Sequence, residues 1–233
     1  MSAISFEILR QDKETHARLG LIKTRRGDIE TPYLVPVATM GSVRALGSDD
    51  LQSLGVQCTL ANTYHLHLNP GDELIARLGG LHRFMGFDRP MFTDSGGFQA
   101  FSLGFAREHN ISKIGNIFPQ DYRKKYDDME NETERPKAAK KENLTKITDE
   151  GISFKSLSDG AWHFLNAEKS MKIQSNLAAD IIMAFDECTS PLSDYDYTKK
   201  AMQRTHNWAE ESIRYHDKNQ ALYGIIQGDG LMT

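Results

Sequence analysis

The sequence predicts an α/β fold in which helices pack against a parallel sheet. Of its 233 residues, 39% are hydrophobic and 26% are charged, which is enough apolar side chain to bury a core. Short apolar runs alternate with helix-like segments, an order typical of βα units. Several of these runs end in a polar residue, as strands do where a parallel sheet binds a ligand. We expect residues 1–233 to form one domain.

Five short apolar runs are predicted to be the strands of this sheet. They lie at residues 33–37, 57–61, 90–93, 180–185 and 221–226. No stretch of 18 or more apolar residues occurs, and the chain does not start with a charged segment followed by an apolar one. The sequence therefore predicts neither a membrane span nor export, and we expect a cytoplasmic protein.

Helix signals fall between the predicted strands. Ser48 is expected to cap a first helix, because two aspartates follow it and Gly55 is placed to end the helix. A second helix is predicted between Pro70 and the glycine pair at 79–80. Residues 197–213 carry small and apolar side chains at a period near 3.6, which predicts an amphipathic helix packed on the sheet.

A charged insertion at about 105–146 interrupts this pattern. Residues 119–142 contain 14 charged side chains among 24, seven of each sign. Such a segment cannot bury a core. Because its charges balance, a solvated insertion is the preferred interpretation over an RNA-binding arm.

Bulk charge and cysteine content do not indicate a nucleic-acid-binding or metal-binding domain. The net charge is −4 and the isoelectric point is near 6.1, whereas phosphate binding needs clustered Lys and Arg. Cys58 and Cys188 lie far apart and form no CxxC pair, so a reducing compartment is expected and no metal site is predicted on this chain.

Polar residues follow four of the predicted strands. Asn62, Asp94, Asp186 and Gln227 each come directly after an apolar run. The carboxyl ends of parallel strands converge, so these side chains are expected to share one polar pocket. The competing interpretation is that each residue opens a turn or caps the next helix, and for any single position it is at least as good.

The segment that begins at Asp94 is the strongest local motif. It reads Asp-Ser-Gly-Gly-Phe-Gln, in which the glycines let the main chain approach a flat ligand closely and Phe98 offers a stacking face. Asp186 has an acidic neighbour, Glu187, which is expected to raise the pKa of one of the two. A carboxylate beside the amide of Gln227 matches the donors and acceptor on the Watson–Crick edge of guanine.

At these residues the sequence resembles the tRNA-guanine transglycosylase family. The matching segments occur in the family's order across nearly the whole chain, at residues 30–37, 62–66, 94–104, 149–154, 168–174, 185–189 and 224–228. The forms Phe-Ser-Leu-Gly at 101–104 and Asp-Glu-Cys-Thr at 186–189 look more like the bacterial enzymes of queuosine synthesis than the archaeal enzymes that modify the D-loop.

The resemblance implies a TIM-type (β/α)8 barrel, of which this chain would contain about the first five strands. It assigns Asp94 as general acid/base and Asn62 as the residue that holds it. It implies that Asp186 reads the edge of the base and that Gln227 contacts the carbonyl. The remaining substrate-binding residues that it implies are Ser95, Gly96, Gly97, Phe98, which lies against the purine, and Cys188, which lines the pocket.

The implied reaction exchanges guanine at the wobble position of tRNA for a 7-deazaguanine by covalent double displacement. Its implied partners are tRNA, guanine and the deazaguanine base, with no membrane and no organic cofactor. The family's nucleophilic aspartate and its Cys3His zinc site come from later segments that this sequence does not contain. We therefore expect the chain to be inactive alone, and we expect zinc and a homodimer only in the full-length enzyme.

Two other functions remain open at this stage. A non-catalytic purine- or tRNA-binding subunit of a split transglycosylase would also keep Asp94, Asp186 and Gln227. An unrelated TIM-barrel metabolic enzyme would instead need a phosphate-binding glycine loop near the end of its barrel. The sequence does not choose among the possible 7-deazaguanines.

Overall fold

The computed structural model of the protein describes residues 4–100, 145–156, 160–189 and 193–227. The strands are β1 Ile4–Gln11, β2 Arg18–Thr24, β3 Gly27–Thr31, β4 Val37–Ala38, β5 Thr59–Ala61, β6 Met91–Thr93, β7 Thr145–Thr148, β8 Gly151–Lys155, β9 Trp162–Leu165, β10 Ile181–Met183 and β11 Ala221–Tyr223. The helices are α1 Ser48–Ser53, α2 Thr63–Leu68, α3 Asp72–Arg77, α4 Leu81–Met85, α5 Ala167–Leu177 and α6 Tyr195–Tyr215. The predicted charged insertion lies almost wholly outside the described residues.

A five-stranded sheet forms the centre of the fold, in the order β11-β10-β6-β5-β4. Every pair in it is parallel, which confirms the predicted α/β architecture. β4 and β11 are the two edges, so the sheet does not close into a barrel within the described residues. In the same part of the chain, none of the helices is long and apolar enough to cross a membrane.

All five predicted strands are present, but the first begins later in the sequence than predicted. The expected run at 33–37 forms strand only from Val37 onward. Pro32 and Pro36 have no N–H to donate to a ladder, although the Pro36 carbonyl accepts from Leu60 N at 3.0 Å. The other four runs contain their strands and extend beyond them at one or both ends.

The predicted helices are also present, with one corrected boundary. Ser48 is the first residue of α1 rather than its cap, because Gly47 occupies the cap position and its N–H donates to Asp50 Oδ2 at 2.8 Å. Gly55 follows the end of α1 with φ +67°, as expected for a helix terminator. α6 buries Ala201, Thr205, Trp208 and Ser212 in the predicted stripe, together with Thr198.

Two three-stranded antiparallel sheets were not predicted. One is β1-β2-β3 and the other is β7-β8-β9. β1 is exposed along almost all of its length, so it shows no alternation of buried and exposed residues to mark it as a strand. The signals that could have found these sheets are the short polar turns at Arg25–Arg26 and at Asp149–Glu150, each followed by glycine.

A buried carboxylate ties the amino-terminal side of the parallel sheet together. Asp180, whose side chain is 2% exposed, comes just before β10. It accepts from His82 Nε2 at 2.9 Å, from Met91 N at 3.0 Å and from Arg25 Nε at 3.2 Å. These three partners belong to α4, β6 and the β2–β3 turn. One side chain therefore connects three separate elements.

Candidate functional site

The opposite end of the sheet brings together the polar residues that follow its strands. Asn62 comes directly after β5, where its Oδ1 accepts from His65 N at 3.1 Å and caps α2. Its Nδ2 donates to Asp94 Oδ2. Asn62 therefore caps a helix and also contacts a carboxylate at the end of the neighbouring strand.

Asp94 is held firmly in a largely buried position. Thr63 N donates to its Oδ1 at 2.8 Å, and the Thr63 hydroxyl donates to its main-chain carbonyl. Burial raises the pKa of Asp94 to about 6, partly opposed by the hydrogen bonds from Thr63 and Gly96 N and assisted by the negative charge of Asp186. A carboxyl group with a pKa near the working pH is suited to accept and return a proton.

The loop after Asp94 packs its main chain tightly against the next strand. A Cβ on Gly97 would lie 2.4 Å from the Asp186 carbonyl oxygen, so no side chain fits there. Gly96 has φ +81°, which favours glycine, and it lies against Thr63 and Leu165. The two glycines are required by this close approach.

Ser95 connects this loop to Asp186. Its Oγ donates to Asp186 Oδ1 at 2.6 Å and accepts from Gly97 N at 3.1 Å. Its carbonyl accepts from the Ser170 hydroxyl of α5 at 2.7 Å. Two neighbours thus fix the direction of the Ser95 hydroxyl, and a third holds its main chain.

Each carboxylate oxygen of Asp186 accepts one hydrogen bond. Ser95 occupies Oδ1, and Gln227 Nε2 donates to Oδ2 at 2.8 Å, although Gln227 lies four residues beyond the end of β11. The residue is 4% exposed. Burial is the main cause of its raised pKa, and the charge of Glu187 adds to it. The expected effect of Glu187 is confirmed in direction but is a minor cause.

Phe98 and Cys188 are less closely tied to this group. Phe98 is 53% exposed and lies in the helical turn that starts at Gly97, so its ring is accessible. Cys188 is partly buried, and its Sγ contacts the Thr189 carbonyl at 3.9 Å. Cys58 is fully buried just before β5, and burial raises the pKa of its thiol to about 12.

Gln174 of α5 is a site-supporting residue to which the sequence analysis gave no role. Its Oε1 accepts from Thr93 Oγ1 at 2.9 Å and from Met183 N at 3.0 Å. Its Nε2 donates to the Met183 carbonyl at 2.9 Å. β6 and β10 share only one paired position, Ile181 with Phe92. The buried amide of Gln174 therefore bridges these strands where their ladder ends, next to Asp94 and Asp186.

Glu187 belongs to a second unpredicted network. Its side chain is fully buried and forms an ion pair with Arg204 of α6, while Tyr197 OH donates to it at 2.7 Å. Arg204 Nε also donates to Asp149 Oδ1 at 3.0 Å. Glu187 N donates to Thr205 Oγ1 at 3.1 Å. α6 thereby fixes both the side chain and the main chain of the residue that follows Asp186.

The structure thus brings seven of the nine predicted site residues into two hydrogen-bonded groups that are adjacent in sequence. Asp94 with Asn62 and Gly96 forms one group, and Asp186 with Ser95, Gly97 and Gln227 forms the other. The described residues include no group of three or more His, Cys, Asp or Glu side chains that could hold a metal ion.

Comparison with known proteins gives a consistent set of relatives. A family model described as queuine tRNA-ribosyltransferase matches residues 12–134 and 134–231. A putative queuine tRNA-ribosyltransferase of Archaeoglobus fulgidus is 56% identical over 212 residues, which is 91% of this chain and 51% of that protein. The queuine tRNA-ribosyltransferases of Caldanaerobacter subterraneus and Halothermothrix orenii are 40% and 42% identical, over 98% and 97% of this chain. The chain spans about half the length of these relatives.

Proposed function

The chain belongs to the queuine tRNA-ribosyltransferase family, and we propose that it forms the base-recognition part of an enzyme that exchanges guanine in tRNA for a 7-deazaguanine. The observation that carries this proposal is the buried carboxylate of Asp186, which accepts from Ser95 on one oxygen and from Gln227 on the other. A carboxylate held in this way presents two acceptors side by side. Guanine offers two adjacent donors, its ring N–H and its exocyclic amine.

In the proposed complex, the base displaces protein donors from Asp186. The amide of Gln227 is then free to turn its N–H toward the guanine carbonyl, because an amide can donate while its own oxygen accepts elsewhere. Ser95 stays anchored through its carbonyl to Ser170. Adenine has an amine where guanine has its carbonyl. This amine would face the N–H of Gln227, and two donors cannot form a hydrogen bond, so we expect adenine not to bind.

Asp94 is proposed as the acid/base group. Its pKa of about 6 allows it to lose and regain a proton at neutral pH as one base leaves and another enters. Asn62 and Thr63 position its two oxygens. The target nucleotide must leave its stack to reach this group.

We propose that the covalent step needs a carboxylate from outside the described residues. Double displacement at a ribose carbon requires a nucleophile in addition to the proton-handling group. At this end of the sheet Asp94, Asp186 and Glu187 all have hydrogen-bonded or ion-paired oxygens. We assign proton transfer to Asp94, base recognition to Asp186 and an ion pair with Arg204 to Glu187, so the proposed nucleophile lies elsewhere; the inactivity of this chain alone stays a prediction.

For a family member of full length, we also propose a TIM-type barrel in which further strands pair with the edges β4 and β11. Zinc, a homodimer and a cytoplasmic location stay predictions for that full-length protein. In the alternative of a split enzyme, this chain would be a non-catalytic subunit that carries the same base-reading groups.

The exchange proposal is tested by incubating the purified chain with tRNA and labelled guanine. We expect no incorporation of label, because none of the carboxylates at the described site is free to form the covalent intermediate. The full-length Caldanaerobacter relative serves as the reference for the assay. Incorporation by the chain alone at the rate of that reference would contradict the proposal. Incorporation only after a separate polypeptide supplies the other half of the family sequence would favour the split enzyme.

A further inference from the structure

A cavity of about 510 Å³ opens between α2, α3 and α5. We call it the α3–α5 cavity. Most of the charged side chains on its wall are basic or potentially basic. They are His67, Arg77, Lys169 and Lys172, facing Asp72 and Glu73. Nothing in the proposed base-exchange chemistry uses this group of residues.

The carboxylate nearest the centre of this wall is already satisfied. Asp72 is 6% exposed, and its oxygens accept from His67 Nδ1 at 2.7 Å and from Asn176 Nδ2 at 2.5 Å. Burial works to raise its pKa, but these hydrogen bonds outweigh burial and the pKa is lowered. Asp72 therefore acts as an internal anchor for His67 and Asn176, and Glu73 is left as the exposed acid of the cavity.

In the described part of the chain, the three permanent cations of the cavity have no such partner. Within the described residues, none of Arg77, Lys169 and Lys172 forms an ion pair with a carboxylate. Lys169 Nζ donates to the neutral carbonyl of Phe164 at 3.2 Å. Lys169 also lies in the first turn of the 11-residue helix α5, whose amino-terminal end adds positive partial charge. The cavity thus presents three positive charges to one exposed carboxylate.

Two of the three helices around the cavity, α2 and α5, also hold residues of the base site. In α2, Thr63 binds Asp94, and His67 follows four residues later, about 6 Å along the helix axis. In α5, Ser170 binds the Ser95 carbonyl, and Lys169 is its neighbour in sequence. Two of the helices that line the cavity, α2 and α5, therefore also position Asp94 and Ser95 of the base site.

We propose that the α3–α5 cavity binds a backbone phosphate of the RNA whose base occupies the Asp94–Asp186 site. This inference deepens the proposed function and rests on it for the nature of the RNA. A phosphodiester suits the cavity because Lys and Arg donors can surround its oxygens. The cavity also supplies positive charge on a chain whose net charge of −4 is otherwise unfavourable for RNA.

The test compares RNA binding by the chain and by three double variants. Two of them remove the same number of charges, and the third keeps the charge. A fluorescent RNA stem-loop with a guanine in its loop is titrated at two salt concentrations. We expect Lys169→Gln with Lys172→Gln to weaken binding by about tenfold or more and to flatten the salt dependence. The matched control, Lys199→Gln with Lys200→Gln, removes the same charge from an exposed part of α6 and is expected to change affinity less than about twofold. Lys169→Arg with Lys172→Arg, which keeps the charge, should bind as the wild type does.

Equal weakening in the cavity variant and the control would overturn the proposal, as would a wild-type chain that does not bind the RNA. Inorganic phosphate is a second arm: binding of phosphate without binding of the RNA would also overturn it. Free guanine is titrated in parallel. Loss of RNA binding only in the cavity variant supports the cavity even if guanine fails to bind, and in that case the base-site proposal fails separately.

Discussion

Replacing Asp180 with alanine is expected to lower the free energy of unfolding by about 2–6 kcal/mol, because two buried donors would each lose their acceptor at a cost of about 1–3 kcal/mol. The change removes the acceptor for His82, for Met91 N and for Arg25 at once. Two of these groups, His82 and the Met91 N–H, are buried and cannot turn to water. A buried donor left without an acceptor keeps its full desolvation cost.

The matched control for this change is Asp88→Ala. Asp88 pairs with Arg26, which also approaches Asp180, but the Asp88 side chain is 83% exposed. An exposed pair is worth about 0–1 kcal/mol, so we expect little change. Urea unfolding followed by circular dichroism measures both variants. If Asp180→Ala costs no more than Asp88→Ala, the carboxylate does not hold these elements together.

Asp94 is expected to make the protein less stable as pH rises from about 4 to about 6. The folded state keeps the Asp94 proton up to a pKa of about 6, whereas the ordinary value is 3.8. Between these values the folded state binds more protons than the unfolded state, so stability falls with rising pH. The pKa shift corresponds to about 3 kcal/mol of folding stability. This stability is fully present well below pH 3.8 and is fully lost above the folded pKa of about 6.

The Asp94→Asn variant isolates this effect. An amide does not titrate, so the stability difference between wild type and variant should change by about 2.5 kcal/mol between pH 4 and pH 8. Any fixed cost of placing the new amide beside the Asn62 amide cancels in that comparison. Asp186 remains in both proteins, and Asp217→Asn, at an exposed loop position, controls for the loss of a carboxyl group. A difference that does not vary with pH would mean that Asp94 ionises normally.

The centre of the fold could be predicted because its signals are local. Four of the five strands of the parallel sheet lie inside a short apolar run, and the alternation of runs and helices indicates parallel pairing. The positions of Asn62, Asp94 and Asp186 near the carboxyl ends of β5, β6 and β10 could also be predicted, because each follows an apolar run in the sequence. Their proximity depends only on parallel strands sharing one edge. Gln227 was found in the same way, although it contacts Asp186 from a loop beyond β11.

The supporting contacts could not be predicted because they depend on packing between distant segments. Gln174 bridges β6 and β10 only because α5 lies across both strands. Arg204 reaches Glu187 and Asp149 from different directions, across 17 and 55 positions of sequence. Nothing in the local sequence of an exposed amphipathic helix identifies which of its cations will face a buried carboxylate.

The β1-β2-β3 sheet escaped prediction for a different reason. Its first strand is exposed along most of its length, and its apolar side chains, such as Phe6 and Ile8, are about half exposed. The pairing is specified by the ladder with β2 and by the short turn before Gly27 rather than by burial of one face. A pattern of hydrophobic alternation cannot detect such a strand.

The measurement that tests the central claim most directly is calorimetric titration of guanine into this chain and into its Asp186→Asn variant. We expect guanine to bind to the wild type and adenine not to bind. The variant should bind guanine at least about tenfold more weakly, because a hydrogen bond to a charged acceptor contributes about 1.5–3 kcal/mol. The Asp217→Asn control should bind as the wild type does. Failure of the wild type to bind guanine, or equal binding by Asp186→Asn, would contradict the assignment of this site to base recognition.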